Sequence, residues 1–143
     1  MQLGFVSAIL PDLTLDEVFA FASDEGFDCI ELMCWPPGAA DRRYAGVTHL
    51  DVTKIDDALI GKVRGLVHQT GVQISGLGYY PNPLHPDPAH RERVVGHLKK
   101  VIQAAPRFGV HVVNTGESLY SIARTFAQRH HLTTGQAVAR LDL

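Results

Sequence analysis

Short apolar runs and helically spaced apolar stripes succeed one another along the first 115 residues. The run Leu3-Gly-Phe-Val-Ser7 predicts a buried strand. Thr14-Leu-Asp-Glu17 then has capping-box spacing, in which hydroxyl and carboxylate each satisfy the other's backbone amide. Leu15, Val18, Phe19 and Ala22 follow on one helical face, and Gly26 suits the end of that helix. Residues 27–35 (FDCIELMCW) predict a second strand, with Ile30 and Leu32 on one face and Glu31, Met33 and Trp35 on the other. A second helix is expected from about 55 to 70, burying Leu59, Val63, Leu66 and Val67 and stopping at Gly71. Strand three is VQISGLGYY, 72–80. Asp87-Pro88 opens a third helix, where proline's missing amide does no harm. Val95, Leu98, Ile102 and Ala105 make its stripe, Pro106 breaks its last turn, and VHVVNT (110–115) is strand four.

Alternation of strand and helix is the βαβ pattern, so the expected fold class is α/β, with a parallel sheet and four βα units. An open, flavodoxin-like sheet would share this order, but SAILPDLT after strand one has no glycine for a phosphate loop. The Pro/Gly-rich segment 36–55 is too long for a plain connection, and loops of that length in compact domains usually serve function or are disordered. Residues 116–143 read differently. Leu119, Ile122, Ala123 and Phe126 give a helical stripe, followed by the polar run Gln128–His131 and a Thr133-Thr-Gly135 turn. This tail is expected to be helical and divergent, with QAVARLDL either helix or strand.

Composition narrows the class. Of 143 residues, 45% are apolar and 20% charged, which is globular and long enough for a core. A formal charge of -2 carries no basic excess, so nucleic acid is not an expected partner. The apolar start is cut by Pro11-Asp12, too short for a signal peptide or a membrane span. A cytoplasmic location without membrane association is expected. Cys29 and Cys34 lie five apart on one strand and so face opposite sides, which suits reduced thiols rather than a disulfide.

Ligands of parallel α/β proteins sit at the C-terminal ends of strands. Phe5 and Ser7, Met33 to Trp35, Gly78 to Asn82, and Asn114-Thr115 occupy those ends. Aromatic rings cover the apolar faces of a sugar, while amides and imidazole bond its hydroxyls. Trp35, His49, Tyr79, Tyr80 and Asn114 are therefore the candidate substrate-binding residues. Each has a plainer alternative. Trp35 can be a lid, His49 a solvated loop residue, and Asn82 and Asn114 turn caps. Alternation allows only one of Tyr79 and Tyr80 into the pocket. Glu31 is the one catalytic candidate, with a structural carboxylate as the alternative. His85, His90 and His97 are expected to be exposed, His130-His131 is a basic tail pair, and no metal-ligand set is apparent.

The segments LGFVSAILPDLTLDEV, EGFDCIELMCWP, YAGVTHLDVT, GVQISGLGYYPNPL and HLKKVIQAAPRFGV resemble the sugar phosphate isomerase/epimerase group. That group belongs to the xylose-isomerase-like TIM barrels, which include AP endonuclease family 2. The resemblance covers about residues 1–115 and implies the N-terminal half of a (β/α)8 TIM barrel, leaving 116–143 as a non-family extension. It further implies a sugar or sugar phosphate substrate and a divalent metal (Mn, Mg or Zn). The family's Glu, Asp, His and Glu ligands come from strands after the fourth. Carboxylates there move a proton beside the carbonyl that the metal polarises. On this resemblance the chain is a truncated isomerase- or epimerase-like protein, holding no metal itself, and whether it is an enzyme stays open. The alternative is a non-catalytic binding or assembly module, a half-barrel forming a homodimer through exposed sheet edges. Thr115–Ala123 also resembles the start of a LysM glycan-binding module, and the tail loosely resembles a helix-turn-helix. A truncation or shifted reading frame is a third origin for the tail.

Overall fold

A computed structural model describes residues 1–38 and 45–115. They form β1 (Gly4–Val6), α1 (Leu15–Asp24), β2 (Cys29–Met33), α2 (Asp57–Thr70), β3 (Gln73–Gly78), α3 (Pro88–Ala104) and β4 (Val113–Asn114). Single 3-10 turns follow β1 at Ser7–Ile9 and α3 at Ala105–Phe108. The four strands pair in parallel in the order β1-β2-β3-β4, which is half of an eight-stranded βα barrel. The sheet is thus the expected α/β half-barrel, though each strand is shorter than its apolar run suggests.

Local signals set the helix ends. Thr14 Oγ1 accepts from Glu17 N, and Glu17 Oε2 accepts from Thr14 N at 2.7 Å, completing the capping box. α1 then buries Leu15, Val18, Phe19 and Ala22, the four residues its spacing picks out. Asp56 caps α2 through Leu59 N at 2.7 Å, and Gly71 ends it at φ 75°, a left-handed conformation that glycine adopts without strain.

α3 departs from expectation. It buries Val94, His97, Val101 and Ala104, while Ile102 is 53% exposed and Val95 and Leu98 are only half-buried. The two stripes differ by a rotation of about one residue. Hydrophobicity favoured the aliphatic one, but the Cys34 carbonyl accepts a 2.6 Å hydrogen bond from His97 Nε2 and so removes the penalty of burying that ring. His97 is therefore a core histidine, not an exposed one. His85 and His90 are half-buried, with ring centroids 4.2 Å apart.

One face of the sheet packs against the helices. Ile30, Leu32, Cys34 and Leu77 join Phe19, Val63 and Val101 in a continuous core. Strand alternation turns Glu31, Met33, Gly78 and Asn114 to the opposite face. An irregularity between β2 and β3 shapes that second face. Ile30 pairs with Ile74 but Glu31 with Gly76, so Ser75 is skipped and two glycines, Gly76 and Gly78, lie beside Glu31 and Met33. Among the described residues, no helix is long and apolar enough to cross a membrane.

Gly4 holds β1 against β2. A Cβ there would sit 2.5 Å from the Cys29 carbonyl oxygen and 2.6 Å from its Sγ. A paired backbone carbonyl cannot swing aside as a side chain can. Gly4→Ala is expected to destabilise by about 1–3 kcal/mol, the usual cost of forced overpacking. A urea melt checks this, and an unchanged midpoint would show that β1 shifts freely.

Candidate functional site

Glu31 is the centre of a polar trio on the face away from the helices. Tyr80, just past β3, donates its hydroxyl to Glu31 Oε1, and Asn114 Nδ2 of β4 donates to Oε2 at 2.6 Å. Both carboxylate oxygens accept, so the ends of β2, β3 and β4 are joined through one side chain. The two glycines make room for it. A Cβ on Gly78 would lie 2.5 Å from Glu31 Oε1, and one on Gly76 would lie 3.1 Å from Asn114 Nδ2. All three polar residues are half-buried, which leaves them open to a ligand. The Tyr80 phenol is pushed well above its ordinary range by burial, then by its bond to Glu31 and that residue's charge, so it remains protonated.

Loops tie the strand ends together beside this trio. Fully buried Ser7 accepts the Met33 amide through Oγ at 3.0 Å. The long segment after β2 returns at Thr48, which forms an antiparallel bridge with Cys34 and donates Oγ1 to the Trp35 carbonyl at 2.5 Å. His49 and Leu50 then donate their amides to the Met33 carbonyl, and Leu50 and Val52 enter the core. His49 is 8% exposed, not solvated, and its Nε2–H donates to the Leu10 carbonyl at 3.2 Å. This bond pins the second loop to the first.

Burial lowers the His49 pKa below 6.5, outweighing the Leu10 and Leu13 carbonyls that favour the charged ring. The neutral ring is thus the one the fold prefers. The unfolded chain takes up that proton at higher pH than the folded one, so this contribution is complete above about pH 6.5 and declines as pH falls below it. His49→Gln is expected to flatten the loss of urea resistance between about pH 7.5 and pH 5. An unchanged slope would assign that loss to other groups.

Tyr79 and Tyr80 point to opposite faces, as alternation requires. Tyr79 is buried on the helix side, its ring centroid 4.6 Å from His97 and 5.6 Å from Trp35. Trp35 does not share the Glu31 face: the β3–β4 ladder runs on to Tyr79, but past β2 the returning Thr48 takes the Trp35 carbonyl and the ring packs against Tyr79 and the helix-side core. Cys34 lies in the core behind Glu31, where burial, then the charges of Glu31 and Asp51, push its thiol far above the usual range. It is an inert thiol, and Cys29 is likewise free and buried.

The structure therefore brings Glu31, Tyr80 and Asn114 together, and separates them from Tyr79 and Trp35 on the helix side and from His49 at the β1 loop. Ser7 and Gly78 were placed at strand ends from sequence without a role, His97 was expected to be exposed, and Gly76 was not singled out. Gly76-Leu-Gly78 inside a strand was the available signal, since strand glycines often mark a close approach. Asn82 caps a turn, accepting from Leu84 N at 2.7 Å. A cleft of about 430 Å³ between α2 and Phe108 opens by Gln73, at the other end of β3 from the trio. Among the described residues, no three His, Cys, Asp or Glu side chains converge to hold a metal ion, and Glu31 has a donor on each oxygen. The described residues do not fit a divalent metal.

Over residues 19–138, the sequence matches the xylose isomerase-like TIM barrel family. The chain belongs to that family. The match continues past residue 115, while the tail expected as a non-family extension, with its LysM-like and helix-turn-helix readings, lies outside the described residues. No curated protein matches the sequence. Among solved structures, the chain is similar to the probable 3-DHS dehydratase AsbF, involved in petrobactin synthesis, from Bacillus anthracis. The TM-score is 0.58 at 12% identity, over 100% of this chain and 50% of that one. It is also similar to a xylose isomerase domain containing protein from Salmonella typhimurium LT2, with TM-score 0.48 and 18% identity over 92% and 47%. At 12% identity the first likeness speaks for the shared barrel fold. The chain spans about half the length of each structure.

Proposed function

We propose that this chain is the polyol-recognising half of a sugar isomerase or epimerase of the xylose isomerase-like type. The observation that carries this reading is the trio of Glu31, Tyr80 and Asn114 at the C-terminal strand ends, where barrel ligands bind. Tyr80 offers a ring face and an oxygen, Asn114 an amide, and Glu31 fixes both. Tyr79 and Trp35 pack on the helix side of the same strands, and His49 ties the loop after β2 to the loop after β1.

Glu31 is assigned an orienting role, because its two oxygens hold the Tyr80 hydroxyl and the Asn114 amide in place. Proton transfer beside the sugar carbonyl, and any metal that assists it, belong to residues other than those described. The reading keeps 1–115 as the half-barrel and a cytoplasmic sugar or sugar phosphate as the substrate.

The test is saturation-transfer NMR of the purified chain with D-xylulose and D-fructose, followed by deuterium wash-in beside the carbonyl with Mn²⁺ in D₂O. Binding that weakens in Asn114→Leu, without wash-in by this chain alone, is the expected result. No binding to either sugar would refute the reading. A second reading, an assembly module, is favoured by β1 and β4, each of which has one strand partner among the described residues. Sedimentation would then show a concentration-dependent homodimer.

A further inference from the structure

We infer that the Glu31–Tyr80–Asn114 subsite selects an uncharged, hydroxyl-bearing group of its ligand and rejects carboxylates and phosphates at that position. This rests on the polyol reading above and narrows it. The reason lies in which hydrogens are already committed. Tyr80 has a single hydroxyl hydrogen, and Glu31 Oε1 takes it, which leaves the phenolic oxygen as an acceptor. Asn114 directs one of its two amide hydrogens to Oε2 and keeps the other as the trio's single remaining side-chain donor, beside its own Oδ1 acceptor. A carboxylate has about four lone-pair directions, so Glu31 retains acceptor capacity after both bonds.

What remains toward a ligand is mostly acceptor atoms around a full negative charge. A ligand hydroxyl donates to them. A carboxylate or phosphate brings only lone pairs and a second negative charge, which a half-buried site screens poorly. No cation offsets Glu31 among the described residues, where the ion pairs are Lys54–Asp51, Lys62–Asp16 and Arg107–Asp57. The Cys34 thiol behind it stays neutral, and Tyr80 stays protonated.

The experiment compares xylitol with xylarate by saturation-transfer NMR titration of the full 143-residue chain. Xylarate carries a carboxylate at each end, so neither orientation keeps an anion from the subsite. Xylitol is expected to bind at least about tenfold more tightly, a difference near 1.4 kcal/mol. The isosteric Glu31→Gln should narrow the gap to about threefold or less. Tyr80→Phe should weaken xylitol yet keep its preference, because the charge remains. Xylarate binding as tightly as xylitol would overturn the inference while leaving the polyol reading intact. A preference unchanged in Glu31→Gln would also overturn it. Failure of both compounds to bind would refute the polyol reading, and the inference with it.

Discussion

Phe19→Ala is expected to lower the melting temperature of this chain by roughly 10 °C, from a loss of about 3–5 kcal/mol. Phe19 is fully buried at the centre of α1, in the core that α1 shares with Ile30 and Leu32 of β2 and Val63 of α2. Truncation removes the transfer free energy of a benzyl group and leaves a cavity that close-packed neighbours fill only in part. A loss of that size is a large fraction of the 5–15 kcal/mol that stabilises an ordinary domain. Thermal unfolding followed by circular dichroism measures it. A shift under about 2 °C would mean that α1 repacks and that its register on the sheet is loosely fixed.

Gly78→Ala is expected to leave the fold standing and weaken polyol binding by about tenfold or more. The added Cβ would come within 2.5 Å of Glu31 Oε1 and 2.9 Å of Met33 Sδ. Both are outer atoms of flexible side chains, so the side chains yield and the strand does not. The carboxylate leaves its place, and Tyr80 and Asn114 lose their shared acceptor. Gly76→Ala is the graded comparison. Its Cβ meets Asn114 Nδ2 at 3.1 Å and Val112 O at 3.4 Å, a milder intrusion that should weaken binding less. Titrating both variants with D-fructose tests the order. Equal affinity in Gly78→Ala and the parent would show that ligand binding does not depend on where Glu31 sits.

These two glycines and Gly4 look alike in the sequence, yet their consequences differ. At Gly4 the obstructing atom is a ladder carbonyl, and stability suffers. At Gly78 the obstructing atoms belong to the site, and binding suffers. Only the paired strands distinguish the cases.

The sequence by itself determined the order of elements, because periods of about 3.6 and 2 residues follow from backbone geometry alone. The Thr14–Glu17 box, the Asp87 cap and the Gly71 stop are likewise local chemistry, and each is found where its residues lie. The face alternation of β2 and the separation of Tyr79 from Tyr80 needed only the strand repeat. Tertiary structure decided the rest. The buried stripe of α3 turned on one carbonyl, that of Cys34, sixty-three residues away in sequence and in reach of His97 only after folding. His49 became a buried tie because its loop returns to the Met33 carbonyl. The trio itself joins side chains from β2, β4 and the end of β3 through a skipped residue at Ser75. Local patterns fix the repeat of a strand, but register between strands is set by the packing of the whole sheet. That register is what places Glu31 between Tyr80 and Asn114.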